Sequence, residues 1–509
     1  MTPDTLSAPV KKIAEALAPI AWIGGISNLL RWDQETYMPP GAIDIRAEQM
    51  AILAGLRHER LTSEAFKKAL GAVVDLKTGD LLDGKLHPEE ARFATQTYRH
   101  YRQAAALPPE FVADYAKLCA QSQHAWEAAK RTKNAVDYLP ILQRVVDMTR
   151  RKAAYLNPNV DPYDALMDEY EPGLTAQDLM PMLAELRKGV LALLKKIQAT
   201  EKAYPPIDGQ YDLGVQAIYN QDLAQRVGFN FNHGRLDPST HPFTIEMHPH
   251  DIRITTRYKV SDVSEGISGT LHETGHGLYE QGLPPQWFGT PFGWAASLGV
   301  HESQSRLWEI MIGKSKSFWE GEYPRLVVAF PALSRVPIDT FFAALNAVKP
   351  GFIRVEADEL TYNLHILVRA EIEIAIINDR LKVRYLREAW NGRYRANLGI
   401  DPPDDGVGFL QDVHWSLGAF GYFPTYTLGN IYAAMLFDAL GRDLPDRDAL
   451  IRSGNFAPIV SWLSTKIYRQ GARRMAKDLI EDICSRPVSV SVLLDAFKAK
   501  YGPLYNLKF

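Results

Sequence analysis

Residues 268–282 read SGTLHETGHGLYEQG. Two histidines stand four apart, His272 and His276, with Glu273 beside the first. Histidine is scarce, at 13 of 509 residues, yet a chance His-Glu-x-x-His match still arises in roughly one chain in fifty of this length. The motif therefore needs context: a helix beneath it, a third ligand, and a way to grip substrate.

The helix is legible. Asp262 is a good N-cap with Glu265 three residues on, and Gly282 followed by Pro284 and Pro285 closes the segment. Positions i and i+4 share one helical face, so both imidazoles can address one ion. Glu273 is turned about 100° away around the helix, which suits a base better than a ligand. A catalytic zinc-type site needs three protein ligands and an open position. The candidate third ligand is Glu302 in VHESQSR, on a helix predicted over 295–312 after a Pro/Gly/aromatic loop, PPQWFGTPFGW, at 284–294. His301, Ser303 and Gln304 make a polar cluster around it. The ion lowers the pKa of bound water toward about 7. Glu273 takes the proton as hydroxide attacks a carbonyl and delivers it to the leaving amine, which is amide hydrolysis. One turn after Glu302 stands Arg306, so no carboxylate partner for the histidines is visible there. Donors to the developing oxyanion are sought in GFLQDVHWSLGAFGYFPTY, 408–426, where His414, Tyr422 and Tyr426 lie among glycines and aromatics.

The rest of the chain sets bounds. Its length implies a large two-lobed domain or several fused ones. Net charge is −3, from 57 basic and 60 acidic side chains, which gives no reason to expect nucleic acid or an anionic membrane as partner. Two cysteines, Cys119 and Cys484, are too few for a disulfide framework and read as buried fillers in a reduced, cytoplasmic compartment. KKIAEALAPIAWIGGISNLLRWD, 11–33, lacks a cleavage site and reads as a buried amphipathic helix. No uninterrupted apolar stretch reaches the length of a membrane span. Residues 42–200 carry apolar residues at helical spacing, as in ILQRVVDMTRRKAAYL. The texture changes near residue 230. HPFTIEMHPHDIRITTRY, 241–258, alternates and predicts a small antiparallel sheet beside the metal helix.

At this point the chain resembles the carboxypeptidase Taq family of metallocarboxypeptidases, also called the thermostable carboxypeptidase 1 family. Six ordered motifs carry the resemblance: HPF at 241, DIRIT at 251, HETGH at 272, HESQ at 301, IRVEAD at 353 and GFLQDVHW at 408. RWDQETYMPPGA at 31 is similar to the family's N-terminal region. The resemblance implies a mainly α fold, similar to neurolysin and angiotensin-converting enzyme, with a long deep active-site groove. One catalytic domain would occupy 1–509, with 1–230 as a mainly helical first part and 231–509 carrying the metal site and the rest of the groove. It implies removal of single C-terminal residues from peptides with a free C-terminus, with broad specificity and little action on C-terminal proline. It implies Zn²⁺, with Co²⁺ as a substitute, and often a homodimer. Carried over by position, His272, His276 and Glu302 look like the ligands, Glu273 like the catalytic carboxylate and Arg354 like the carboxylate-binding arginine. His241, Asp251, Arg253, Gln411, Asp412 and His414 belong to the same motifs.

An exopeptidase must recognise a terminal carboxylate, and a guanidinium fork binds one at two points. Arg354 and Arg253 both stand in short motifs with an acidic residue, Asp358 and Asp251 respectively. The competing readings are an endopeptidase or dipeptidyl carboxypeptidase using the same metal site, and a silent scaffold with a structural ion. Glu273 argues against the scaffold, because a structural ion has no use for a base.

Overall fold

The computed structural model describes residues 2–82 and 84–509. Helices dominate it, as expected, with one three-stranded sheet of order β1-β3-β2. The chain divides into two compact units built from interleaved segments. The first comprises Met1–Ala105, Pro206–Leu345 and Leu436–Arg486, and the second Ala106–Pro205, Asn346–Met435 and Pro487–Phe509.

The sheet belongs to the first unit and differs from expectation. β2 (Thr244–His248) and β3 (Asp251–Thr256) form the expected antiparallel pair, but β1 (Gly234–Pro238) adds in parallel on the other side of β3, so the sheet is mixed. β1 lies upstream of the alternating stretch, and its sequence, GRLDP, carries no β-branched residue to announce it. Its entry depends on close approach: a Cβ on Gly234 would lie 2.2 Å from the Ile252 carbonyl oxygen. Alternation then sorts the faces. Ile252 and Ile254 pack with Phe229 and Ala224, whereas Ile245 and Met247 pack on Trp32.

The metal-motif helix runs Val263–Gly282. Asp262 caps it as predicted, its side chain accepting from the Ser264 amide at 2.8 Å. Glu265 does not complete a capping box; it is drawn off to Arg257 and Lys259. The next helix, Leu298–Arg306, is capped by Ser297, which accepts from Val300 N at 3.0 Å. It continues as a π-helical turn over Leu307–Ile312.

The N-terminal helix α1 (Ala8–Thr36) is less buried than its sequence suggests. Val10, Ile13, Leu17 and Ile20 enter a core with Phe66, Leu70 and Phe93. Trp22, Ile26 and Leu29 remain exposed, although beyond Ile20 the helix meets β2 at Gly25, Asn28 and Trp32, and Arg46 of the helix Ile43–Thr62 at Leu30 and Asp33. By length and composition alone α1 also meets the requirement for a membrane span, with an 18-residue window of mean hydropathy 1.4 of which 17% is buried. Both cysteines are free thiols, Cys484 buried and Cys119 half-buried, and burial pushes each up to about 11.

Candidate metal centre and arginine cluster

The first unit holds the metal motif. His272 and His276 project from one face of their helix toward Glu302 of the next. Glu302 Oε2 lies 3.7 Å from His272 Nε2 and 3.4 Å from His276 Nε2. Four ligands placed about 2.1 Å from a tetrahedral ion stand about 3.4 Å from one another, so these spacings fit one small divalent cation. Among the described residues this is the single group of three metal-ligating side chains whose donor atoms converge. Gly275 makes the convergence possible. A Cβ there would fall 2.4 Å from Gln304 O and 2.7 Å from Ser305 Cα, so any other residue would push the two helices apart.

The protonation states favour ligation in part. Burial, with His301 nearby, holds His276 down to about 3, leaving a neutral imidazole with a free lone pair. Burial opposes ionisation of Glu302, but His272 and His276 outweigh it and hold the carboxyl down to about 2. For His272, burial is outweighed by Glu302 and Glu309, which lift it to about 9, so a cation at its Nε2 competes with a proton.

Glu273 stands outside the ligand group, as its helical offset requires. It is buried, and its Oε2 accepts from Thr244 Oγ1 of β2 at 2.7 Å. Burial raises its carboxyl above the usual range, against the pull of His272 and the Thr244 hydrogen bond. A carboxylate raised toward neutrality is suited to exchanging protons with water.

Sequence reasoning missed the residue that orients His272. Glu309 Oε2 lies 2.9 Å from His272 Nδ1 and accepts from Arg306 at 2.8 Å. Glu309 is seven residues after Glu302, two turns on, and the π-helical turn carries it there. A search two turns beyond Glu302, instead of one, finds it. His301 also has a place: its ring stacks on His276 at 4.4 Å, and its Nε2 lies 2.8 Å from Glu280 Oε1.

The second unit gathers the other motif residues. Asp412 is shared by two guanidiniums: Arg354 Nε donates at 2.9 Å and Arg369 Nε at 2.6 Å. Arg354 also donates to the Tyr362 hydroxyl at 3.1 Å, and its backbone amide donates to Gln411 Oε1 at 2.8 Å. The ring of Tyr426 lies 4.9 Å from its guanidinium carbon. Tyr426 Oη is 3.3 Å from His414 Nε2, and the His414 and Tyr422 rings are 5.3 Å apart. Burial holds His414 down to about 4, so its imidazole is neutral. Asp358, the acidic residue expected beside Arg354, instead caps its own turn, accepting from Thr361 N at 2.9 Å.

Three motif residues in the first unit, Arg253, Asp251 and His241, do not join His272, His276 and Glu302. Arg253 forms a two-point pair with Asp251 at 3.0 and 3.1 Å and lies 4.3 Å over the Trp32 ring. It alternates with Ile252 and Ile254 along β3, so it points to the sheet face opposite the one they share with Phe229. His241 is exposed, and its carbonyl accepts from Ser239 Oγ at 2.7 Å.

A half-buried His-His-Glu donor set on two packed helices, with a spare buried carboxylate beside it, defines a helical metallopeptidase. Residues 12–501 match the model of the Carboxypeptidase Taq (M32) metallopeptidase family. The chain is 40% identical to thermostable carboxypeptidase 1 of Thermus thermophilus, covering 99% of this chain and 100% of the relative. It is 36% identical to carboxypeptidase 1 of Bacillus subtilis, covering 98% and 99%. The M32 carboxypeptidase of Deinococcus radiodurans R1 superposes with a TM-score of 0.94 at 35% identity, over 98% of this chain and 100% of that one. The chain belongs to the M32 carboxypeptidase family, whose members are metal-dependent carboxypeptidases acting on peptides.

Proposed function

We propose that the chain releases single C-terminal residues from peptides with a free C-terminus, with broad side-chain acceptance and little action on C-terminal proline. His272, His276 and Glu302 hold one Zn²⁺, with Co²⁺ as a substitute. The observation that carries this reading is the convergence of their three donor atoms beside a buried Glu273 that is not one of them. Zn²⁺ held there supplies Lewis-acid polarisation of a carbonyl and acidifies a water. Glu273 accepts the proton of the attacking water and passes it to the leaving amine nitrogen. Thr244 holds the Glu273 carboxylate in one orientation meanwhile.

The charge balance of the second unit supports a role in gripping the terminal carboxylate. Two buried guanidiniums, Arg354 and Arg369, share one carboxylate, Asp412, so neither has it to itself. A substrate carboxylate supplies a further acceptor for the Arg354 guanidinium. In the same reading His414 and Tyr422 donate to the oxyanion, and Tyr426 lines the substrate position. Arg253 serves structure, through Asp251 and Trp32. We further propose a cytoplasmic homodimer; Trp22, Ile26, Ile45 and Ile52 are exposed apolar side chains on the helices Ala8–Thr36 and Ile43–Thr62.

The test is a time course of product masses from one peptide offered as free acid, as C-terminal amide and with an acetylated N-terminus. A ladder of single-residue losses from the free acid and the acetylated peptide, with the amide slow, is expected. Internal cleavage of all three would establish an endopeptidase instead.

A further inference from the structure

The segment that carries His414 and Tyr422 is fastened at both ends by one buried carboxylate. Glu373 lies on the helix Tyr362–Ile377 and is fully buried. Its Oε1 accepts from the Trp415 indole nitrogen at 2.8 Å, and its Oε2 accepts from the Gly421 amide at 3.1 Å. A third donor, the Tyr163 hydroxyl, reaches Oε2 at 2.9 Å. Trp415 directly follows His414, and Gly421 directly precedes Tyr422. The chain between them has little other freedom. Gly418 and Gly421 both hold positive φ, at 72° and 86°. A Cβ on Gly421 would fall 2.8 Å from Met167 N.

We propose that Glu373 is a positioning residue of the carboxypeptidase reaction, whose carboxylate clamps Trp415 and Gly421 and thereby sets the places of His414 and Tyr422. The inference rests on the roles given above to His414 and Tyr422. All three donors to Glu373 are neutral; the guanidinium that acts on it, Arg369, is bonded to Asp412 instead, and burying an acid with no directly bonded cation is costly. A purely structural site of this shape is served as well by apolar packing. What a carboxylate adds is two acceptor oxygens that hold donors on opposite sides at once. An amide at the same place cannot do this, because its NH₂ would face a donor on one side or the other.

The groups around Glu373 are Tyr163 and Tyr170 from the first half of the unit, Trp415 and Gly421 from the segment it holds, and Arg369 one turn earlier on its own helix. Burial lifts its carboxyl to about 7, against the pull of Trp415, Gly421, Tyr163 and Arg369. The clamp is therefore complete above about pH 7 and loses an acceptor below it.

The experiment compares metal-loaded wild type with Glu373→Gln across pH, on a free-acid peptide. Metal content, which reports on the other unit, is expected to be unchanged. The variant is expected to lose about tenfold or more in kcat at pH 8, with the wild-type to variant ratio narrowing as pH falls through about 7. Taking the ratio cancels any titration that both enzymes share. Trp415→Phe removes one of the held donors and is expected to lose a similar factor, with the double variant no worse than the poorer single one. Should Glu373→Gln not fold, Trp415→Phe and Tyr163→Phe carry the test, the latter by moving the acid limb of kcat to higher pH. A folded Glu373→Gln with wild-type kcat, or a ratio independent of pH, overturns the clamp. Failure of wild type itself to trim the peptide overturns the carboxypeptidase reading instead, so the two failures are distinguishable.

Discussion

Glu309 Oε2 lies 2.9 Å from His272 Nδ1, a contact that fixes which ring nitrogen of His272 is left to face Glu302. Arg306 donates to the same oxygen at 2.8 Å and so keeps Glu309 ionised and in place. Partners of this kind typically account for 10–100-fold in metal affinity. Glu309→Ala should weaken Zn²⁺ binding by about that factor, as read by competition with a chromogenic chelator. Wild-type affinity in the variant would mean that His272 is oriented by its packing alone.

His276→Ala removes one of the three proposed ligands. Bound metal and activity should disappear together while the fold persists, because a core of this size does not depend on one ion. Elemental analysis and a thermal melt on the same sample decide it. Full metal occupancy would strike His276 from the ligand set.

Glu273→Gln keeps size and hydrogen-bonding reach but cannot accept a proton. Turnover should drop by about 10²–10⁴ with metal content unchanged, the range typical of lost general acid-base catalysis. Near-normal turnover would remove the proton-transfer role from Glu273.

Arg354→Ala addresses the substrate end. A guanidinium facing a carboxylate forms charge-assisted hydrogen bonds of about 1.5–3 kcal/mol, so wild type should cleave a free acid at least about tenfold faster than its amide. The variant should lose most of that preference and keep its metal. Asp412 stays paired with Arg369 at 2.6 Å, so the change leaves no buried carboxylate stranded. An undiminished preference would return Arg354 to a purely structural pairing.

Glu373 also makes a prediction about stability that does not involve catalysis. Its folded-state pKa, about 7, lies above the ordinary value of 4.5, so the native state holds a proton that the unfolded chain releases. Its contribution to stability is therefore greatest at low pH and is lost as pH rises from about 4.5 to about 7, by up to about 3 kcal/mol. Melting of wild type against Glu373→Gln should show the difference shifting over that window. Parallel pH profiles would show that Glu373 does not titrate there.

What the sequence determined by itself was written at short range. The cap at Asp262 acts within two residues. The shared face of His272 and His276 follows from 3.6 residues per turn, as does the offset of Glu273. The alternation that pairs β2 with β3 is likewise local. Tertiary structure decided what depends on packing between distant segments. β1 joins the sheet in parallel because Gly234 admits the Ile252 carbonyl. Arg253 turns from the metal helix because of the register of β3, and α1 stays partly uncovered although β2 and Arg46 of the helix Ile43–Thr62 reach its second half. Glu309 reaches His272 across 37 positions, and Glu373 gathers donors 42, 48 and 210 positions away. Periodicity and capping are properties of a few consecutive residues. Which carboxylate meets which donor across a core is fixed only when side chains of complementary shape exclude water together.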